Sequence, residues 1–466
     1  MAVTTTTDVG ADIPVDVAPP TSSRPHWIDD WRPEDEAFWA EQGEAIARRN
    51  LIWSIFSEHI GFAIWSLWSV FVLFLGPEYG FDPGQKFLLT TLPTAVGAVL
   101  RLPYTFATAR FGGRNWTIFS AGILIIPCVL AAYALHPGVS FTTLLLCASV
   151  AGVGGGNFSS SMANIDAFYP QRLKGWALGL NAGGGNLGVA GVQLVGLAVL
   201  ATAGVAHPRL ILAVYIPLIV VAVAGAALKM DNLTHVGNEK GAMRDVAKHR
   251  HTWIIALLYI GTFGSFIGFG FAFGQVVKAQ FYADLDPGLA ARKAAYLTFL
   301  GPLLGSLVRP WGGKLADKIG GARVSLVTFV AMAGGASLVL AASKADSAPL
   351  FIVAFIVLFV LTGIGNGSVY KMIPAIFDKE RRADLDAGGD VDRGWATARK
   401  RSRALIGIAG SIGALGGVAV NLAFRQSFNS TGNGNGAYVS FIAFYVMCAV
   451  VTWLVYVRRS AKMSGV

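Results

Sequence analysis

The sequence predicts an all-α membrane protein with twelve transmembrane helices in two six-helix halves. Hydrophobic residues make up 54% of the 466 residues, charged residues make up 14%, and the mean hydropathy is +0.56. Soluble domains carry about 25% charged residues. The apolar runs are too long and too uniformly apolar for the alternating strands of a membrane barrel. A repeat that relates the two parts of the chain groups the helices into halves.

The individual helices are predicted from runs of about 20 apolar residues, which is the length that one crossing needs. In chain order they cover residues 52–75, 86–109, 116–135, 140–168, 175–200, 208–229, 252–278, 294–316, 323–343, 349–377, 403–424 and 437–457. Lys371 falls near the end of helix ten, where its long side chain can reach the membrane surface.

The basic residues are unevenly distributed along the chain, whose net charge is +10. Of the 37 Lys and Arg residues, 27 lie in the two tails and the even-numbered loops, and seven lie in the odd-numbered loops. This bias predicts a multi-pass protein of the plasma membrane with both termini in the cytoplasm. It also accounts for the positive charge without a nucleic-acid partner.

Five segments follow from the helix pattern. They are an N-terminal tail with an amphipathic lead-in (1–50), a first six-helix bundle (51–229), a linker (230–251), a second six-helix bundle (252–458) and a C-terminal tail (459–466). Residues 1–23 are rich in Thr, Pro and Ala and are predicted to be disordered. The lead-in after them is predicted to lie on the membrane surface.

An enzyme is the weakest function class for this chain. The longest loops, 230–250 and 378–402, are charged and too short to form a catalytic domain. The three cysteines lie in predicted helices without metal-ligand spacing, and no nucleophile and base motif accompanies them. We therefore expect neither enzyme activity nor a metal or cofactor. The chain is expected to be a monomer surrounded by lipid.

The internal repeat centres on two arginines within predicted helices. Arg101 is followed by FGGRN (111–115), and Arg309 is followed at the same spacing by IGGAR (319–323). A second correspondence sets Trp53 against Trp253. Twelve helices in two parallel halves describe the major facilitator architecture, in which the substrate site lies near the middle of the membrane between the halves. The repeat would then bring both arginines to one central cavity.

Inserting a guanidinium at the middle of the membrane costs about 2.5–3.5 kcal/mol. Each arginine is therefore expected either to pair with another group or to have a function. Two facing guanidiniums repel each other, and a small anion between Arg101 and Arg309 would relieve that repulsion. The alternative is that each one pairs with a structural carboxylate, for which the candidates are Glu58, Asp166 and Asp317. Asp317 fits better as a tie between helix ends. Arginine forks also suit flat oxyanions.

Glycines and asparagines mark helices four, five and ten. Gly175, Gly179 and Gly183 recur every four residues, which predicts close approach by another helix. Packing does not require the amide of Asn186, which could reach a ligand. Helix ten repeats the theme in TGIGNGSVYKMIP (362–374), which offers Asn366 and Ser368.

The stretch GGNFSSSMANIDAFYPQRLKGWALGLNAGGGNLG (155–188) resembles the signature of the nitrate/nitrite porter family, the NarK-like members of the major facilitators. The resemblance extends from Asp30 onward. It includes the segments DWRPEDEAFW, LRLPYTF, YIGTFGSFIGF, LVRPWGGKLADKIGG and GIGNGS. It implies substrate contacts from Arg101, Arg309, Asn186, Tyr259, Phe158, Phe263 and glycines such as Gly183 or Gly185. Ser368 is a further candidate from helix ten.

The resemblance implies nitrate and nitrite as substrates, with a place in nitrate assimilation. Neither arginine can lose its proton, so an empty cavity keeps two positive charges and closes with difficulty. A carrier of this kind acts as an antiporter, taking nitrate in and sending nitrite out. Glu58 and His59 of helix one are a departure from the exchangers, and the repeat sets His59 opposite Tyr259. These two residues leave proton-coupled nitrate symport open, and an anion sensor with residues 378–402 as its contact is a third possibility.

Overall fold

The computed structural model describes residues 24–466 apart from 235, 237–239, 462 and 464, so the predicted disorder of residues 1–23 lies outside the described residues. Among the described residues, twelve helical segments match the predicted crossings in order, and a short helix, Lys240–Ala247, lies in the linker between the sixth and the seventh. The twelve segments are α1 (Glu36–Phe74), α2 (Pro83–Phe111), α3 (Gly113–Ala134), α4 (Phe141–Phe168), α5 (Gln171–Thr202), α6 (Arg209–Lys229), α7 (Arg250–Phe281), α8 (Pro287–Thr298 with Leu300–Ile319), α9 (Gly321–Lys344), α10 (Ala348–Asp386), α11 (Val391–Thr431) and α12 (Asn435–Val457).

Eleven of these segments are long and apolar enough to span a membrane, counting only described residues. The remaining one is α8, which carries Arg309 at its centre and ends in the charged sequence KLADKI. These charges lower its hydropathy below that of a typical span. Its place between α7 and α9 still gives two six-helix halves, α1–α6 and α7–α12.

The charged stretch 378–402 is not a loop, and that prediction was wrong. α10 continues to Asp386 and α11 begins at Val391, so only four residues separate the two helices. Asp378 forms ion pairs with Arg381 at 2.6 Å and with Arg382 at 2.8 Å, one helical turn further on. Asp390 caps α11 by accepting a hydrogen bond from the backbone N–H of Arg393. Such pairs and caps extend a helix beyond its apolar part.

The N-terminal lead-in is attached to the linker between the halves. Strand β1 (Trp27–Ile28) pairs in parallel with strand β2 (Asn232–Leu233), which follows α6. Arg49 in α1 donates to Asp231 at 2.6 Å, and the buried Asn50 donates to the same carboxylate at 2.9 Å. The lead-in thereby fastens the linker to the first half.

The structure supports the equivalence of the two repeat loops. Gly112 ends α2 with φ +86°, and Gly320 ends α8 with φ +94°. Both values lie in the left-handed region that favours glycine. Each arginine of the repeat therefore lies in a helix that ends at a left-handed glycine and leads directly into the next helix.

The glycines of α5 that pack against another helix are not the predicted ones. A Cβ at Gly175, Gly179 or Gly183 would meet no atom within 4 Å. A Cβ at Gly188 would instead clash with the carbonyl oxygen of His59 in α1, and one at Gly185 would clash with Glu58. The close contact between α1 and α5 therefore depends on Gly185 and Gly188.

Replacing Gly188 with alanine is expected to push α1 away from α5 and to lower the midpoint of thermal unfolding in detergent by several degrees. The reason is that the backbone of His59 cannot move aside as a flexible side chain would. Gly183→Ala is the matched control on the same helix, since it adds a methyl group to open space. Equal thermal stability of the two variants would contradict the packing described here.

The two faces of the protein differ in how the halves meet. We call the face that carries β1, β2 and the loops after α2, α4 and α8 the terminal face. On the opposite face the halves are joined by hydrogen bonds. They run from Lys278 to the carbonyl of Leu73 at 2.6 Å, from Thr90 to Asn421 at 2.8 Å and from Gln193 to the carbonyl of Gly270 at 2.8 Å.

The terminal face contains a cavity of about 580 Å³, lined by the lead-in, α2, α4 and α11. Phe158 lies in its wall, and Asp166 in α4 bridges to Arg403 in α11 at 3.3 Å. The interior is thus closed toward the opposite face and is approached from the terminal face. This is one of the two arrangements that alternating access requires.

Candidate functional site

Arg101 of α2 is completely buried at the interface between the two halves. Its Nε donates to the carbonyl of Gly155 in α4 at 3.2 Å, and its Nη1 donates to the carbonyl of Gly410 in α11 at 2.9 Å. Its Nη2 has no hydrogen-bond partner among the described residues. One donor of a buried cation is therefore available for a ligand.

Aromatic rings surround this guanidinium in place of water. The ring centroids lie 4.6 Å (Phe158), 4.9 Å (Phe263), 5.3 Å (Trp65) and 6.0 Å (Phe62) from the central carbon of Arg101. Ring faces attract cations, and the attraction reaches about 2 kcal/mol when the cation is desolvated. These rings offset part of the cost of burying Arg101 without neutralising its charge.

Glycines explain how α4 can reach Arg101. Residues Ala151–Gly156 form a 3₁₀ turn within the helix. A Cβ at Gly155 would lie 2.7 Å from the Cα of Gly97 and 2.7 Å from the ring of Trp65. The absence of a side chain lets α4 approach α2 closely and turns the carbonyl of Gly155 toward the guanidinium.

Arg309 of α8 lies in the same aromatic cluster and is 7% exposed. Its Nη2 donates to the hydroxyl of Tyr259 at 3.3 Å, its Nη1 has no partner among the described residues, and its central carbon lies 5.2 Å from the ring of Tyr370. Tyr259 stacks on Phe263 with centroids 5.1 Å apart and ring planes 6° apart. Since Phe263 also faces Arg101, one stack of rings connects the two arginines.

The backbone of α7 changes at this stack. Tyr259 ends the first α-helical part, and Phe263 lies in the π-helical turn Ile260–Gly264 that follows. Such turns are frequent at functional sites because they shift the direction of side chains within a helix. Here the two rings lie four residues apart and stack almost in parallel.

Neither arginine is paired with a carboxylate in the described part of the chain. Asp166 pairs with Lys174 and Arg403, and Asp317 pairs with Lys371 at 2.9 Å. Asp317 therefore ties α8 to α10, as expected from the sequence. The structural-carboxylate alternative is left with Glu58 alone.

Glu58 of α1 is 1% exposed and lies within electrostatic range of both arginines, but it forms no ion pair with either within 4 Å. Its Oε2 accepts a hydrogen bond from Asn181 at 2.7 Å, while its Oε1 has no partner among the described residues. We call the buried group of side chains around Arg101, Arg309 and Glu58 the chamber, although none of these three lines the cavity of the terminal face. It holds two cations and one carboxylate, so its net charge is +1 when Glu58 is ionised.

The repeat sets His59 against Tyr259, and the structure places the side chain of His59 between helices of the first half. Its Nδ1 lies 3.2 Å from the carbonyl oxygen of Gly184 in α5. Its Nε2 would be 3.1 Å from a Cβ at Gly191, and the same Cβ would be 3.7 Å from the hydroxyl of Tyr215 in α6. The side chain therefore points into the interface of α1 with α5 and α6, because neighbouring residues of a helix face different directions.

Several buried polar atoms have no hydrogen-bond partner among the described residues. Leaving such an atom unpaired costs about 1–3 kcal/mol, so a group of them marks a place that a ligand or water fills. Besides the two guanidiniums and Glu58, the residues with such an atom include Ser57, Asn157, Asn186, Thr262, Asn366 and Tyr370. Both amide atoms of Asn186 are among them, consistent with the ligand role predicted for this residue.

Two candidate contacts differ from this pattern. The hydroxyl of Ser368 lies 2.9 Å from that of Ser325 in α9 and donates to the carbonyl of Gly365, so it is used in helix packing. Gly183 borders open space. Sequence reasoning missed Tyr370, although it follows Asn366 by four residues and so shares its helix face.

Comparisons with known proteins identify the family of this chain. The family model described as Major Facilitator Superfamily matches residues 55–385. A nitrate/nitrite transporter NarU of Salmonella typhimurium is 39% identical over 94% of this chain and 97% of its own length. A probable nitrate/nitrite antiporter NarK2 of Thermus thermophilus is 32% identical over 95% of this chain and 99% of its own.

Solved structures with little sequence identity share the fold. A D-xylose–proton symporter has a TM-score of 0.61 and 15% identity, covering 91% of this chain and 98% of its own. A bacterial homologue of the human lysosomal transporter Spinster, in an inward-facing and occupied conformation, has a TM-score of 0.60 and 16% identity, covering 87% of this chain and 95% of its own.

The family model and the relatives of 39% and 32% identity together identify the family. The chain belongs to the nitrate/nitrite transporter family of the Major Facilitator Superfamily.

Proposed function

We propose that this chain is a secondary transporter that moves nitrate and nitrite across the plasma membrane by alternating access. The observation that carries the proposal is the pair of buried arginines, each with an unpartnered Nη atom, joined by one stack of aromatic rings. A flat anion fits between rings that limit its thickness, and its oxygens accept hydrogen bonds from the forks. Asn186 adds an amide, while Phe158 and Phe263 form the walls.

An ionised Glu58 would favour a small monovalent anion. With Glu58 ionised the chamber has one net positive charge, which a single nitrate or nitrite neutralises. A second negative charge on the ligand would leave an excess charge in a poorly solvated space, where such charges are costly. The family membership supports the same substrates, because the relatives described above are named for nitrate and nitrite.

Exchange of nitrate for nitrite is the transport mode that we favour. The guanidiniums stay charged at any physiological pH, so a chamber that closes without an anion retains their repulsion. Binding an anion on either side removes part of this repulsion and lets the loaded carrier reorient. The carrier then returns most readily with another anion bound.

The position of Glu58 supports proton-coupled symport as a second candidate mode. The charged groups that face Glu58 are Arg101 from α2 and Arg309 from α8, while α4 and α5 present the neutral Ser161 and Asn181. When Glu58 is ionised, the empty chamber carries +1. When a proton and an anion bind together, the chamber again carries +1, so the empty and loaded carriers would reorient with equal net charge.

The terminal face is assigned to the cytoplasm. The lead-in, the linker and the loops after α2, α4, α8 and α10 bring most of the basic residues to this face, which the positive-inside rule places inside. The cavity beside Phe158 then opens toward the cytoplasm, and both termini lie there. We propose that the protein works as a monomer, since the chamber is built from one chain, and that it supplies nitrate for assimilation.

Counterflow in proteoliposomes tests this function. Vesicles with nitrite trapped inside are expected to take up labelled nitrate about tenfold faster than empty vesicles, because about 1.4 kcal/mol of added repulsion slows reorientation tenfold. Vesicles that contain an unrelated membrane protein are the control. Nitrate binding without flux would instead identify an anion sensor, and transport of neither anion would contradict the proposal.

A further inference from the structure

Tyr370 is an unassigned polar group in the wall of the chamber. Its ring lies 5.2 Å from the central carbon of Arg309 and 4.7 Å from the ring of Tyr259. Its hydroxyl is buried beside the hydroxyl of Tyr259, which already accepts from Arg309, and it forms no hydrogen bond of good geometry with any described residue. Buried tyrosines usually satisfy the hydroxyl, so this one is arranged for a partner that comes and goes.

A small gap at Gly410 lies in front of this hydroxyl. A Cβ placed on Gly410 would lie 3.5 Å from the hydroxyl oxygen of Tyr370, 3.9 Å from Nη1 of Arg101 and 3.9 Å from the ring of Phe158. All three are ordinary contact distances, so the gap holds an atom of about the size of a methyl carbon or an oxygen. A hydroxyl and a guanidinium, both hydrogen-bond donors, border it.

We propose that Tyr370 is a specificity-determining residue whose hydroxyl donates to one oxygen of the bound anion at this gap. This inference rests on the proposed function. Nitrate has three oxygens in one plane, and three donors among these residues lack a partner of good geometry, namely Nη2 of Arg101, Nη1 of Arg309 and the hydroxyl of Tyr370. Nitrite has two oxygens, so it can accept hydrogen bonds from the two guanidiniums but leaves the hydroxyl of Tyr370 without a partner.

This arrangement favours nitrate. A site that is built to hydrogen-bond a group discriminates strongly against a ligand that lacks it, because the buried donor is then left unpaired. The charge of the two arginines attracts both anions equally. The phenol of Tyr370 is neutral. It therefore affects the relative affinities for nitrate and nitrite but not the net charge of the chamber, on which reorientation of the carrier depends.

The variant Tyr370→Phe keeps the ring beneath Arg309 and removes only the hydroxyl. The dissociation constant for nitrate is expected to rise roughly tenfold, since a hydrogen bond to a charged ligand is worth about that much, while the constant for nitrite stays within about twofold. The measurement is isothermal titration of the purified protein with sodium nitrate and with sodium nitrite. Tyr445→Phe is the matched control, because it removes a buried hydroxyl that pairs with Ser265.

Gly410→Ala provides an independent variant. Its methyl group fills the gap without a clash and keeps the carbonyl that binds Arg101, so it should also weaken nitrate binding more than nitrite binding. Equal weakening of both anions, or no change in either, for Tyr370→Phe would overturn the inference while leaving the proposed function intact. If the unaltered protein binds neither anion, the proposed function itself fails.

Discussion

Replacing Arg101 or Arg309 with lysine is expected to reduce nitrate exchange about 100-fold, although the positive charge remains. Arg101 uses two of its nitrogens to hold the carbonyls of Gly155 and Gly410 and keeps a third for the ligand. A lysine has a single nitrogen that cannot occupy these positions together. Charge-assisted hydrogen bonds contribute about 1.5–3 kcal/mol each, so the loss of one or two of them accounts for a reduction of about 100-fold.

The measurement is counterflow at saturating and at low nitrate, so that binding and reorientation can be separated. Arg209→Lys is the matched control, because Arg209 donates to the carbonyl of Leu135 outside the chamber and should transport normally after this change. Protein yield and the thermal unfolding midpoint show whether the variants fold. Normal exchange by a folded Arg101→Lys or Arg309→Lys variant would contradict the proposed anion clamp.

Replacing Glu58 with glutamine is expected to abolish net nitrate uptake driven by a pH gradient while leaving exchange within about threefold of normal. The amide still accepts a hydrogen bond from Asn181 but carries no charge. The empty chamber then holds +2 instead of +1, so the unloaded carrier reorients slowly. Exchange does not need that step, because an anion is bound in both directions.

The measurement compares uptake into proteoliposomes with and without a pH gradient at a fixed voltage. His59→Gln is the matched control, since its ring points toward α5 and α6 rather than into the chamber. It should preserve both transport modes. If Glu58→Gln keeps the full response to the pH gradient, another group couples protons to transport, and the role described here for Glu58 is wrong.

The membrane helices could be predicted because lipid leaves few alternatives. Backbone groups in the bilayer must bond within a helix, so apolar runs translate directly into elements. The arginines could be predicted for a related reason, since an uncompensated charge at this depth needs a purpose. The part of α10 and α11 beyond the membrane was missed because water tolerates both helix and loop there, and the ion pairs of Asp378 decided the outcome.

Side-chain direction could not be read from composition. Ser368 and Tyr370 are two residues apart on one helix, so they face different neighbours. Ser368, the predicted ligand contact, is used in packing against Ser325, whereas Tyr370 faces the chamber. Likewise, the glycines of α5 occur in two successive groups, and only the position of α1 determines that Gly184, Gly185 and Gly188 are the ones in contact. His59 and Glu58 differ in the same way.

The hydrogen bond from Arg101 to the carbonyl of Gly410 joins α2 of one half to α11 of the other. When the protein opens toward the outside, these two helices must part, and Nη1 loses this partner. Arg101 then offers one more donor to an incoming anion than it does in the arrangement seen here. The same residue would then bind its cargo more tightly in the outward-open arrangement than in the arrangement seen here, which lowers the external anion concentration that half-saturates uptake.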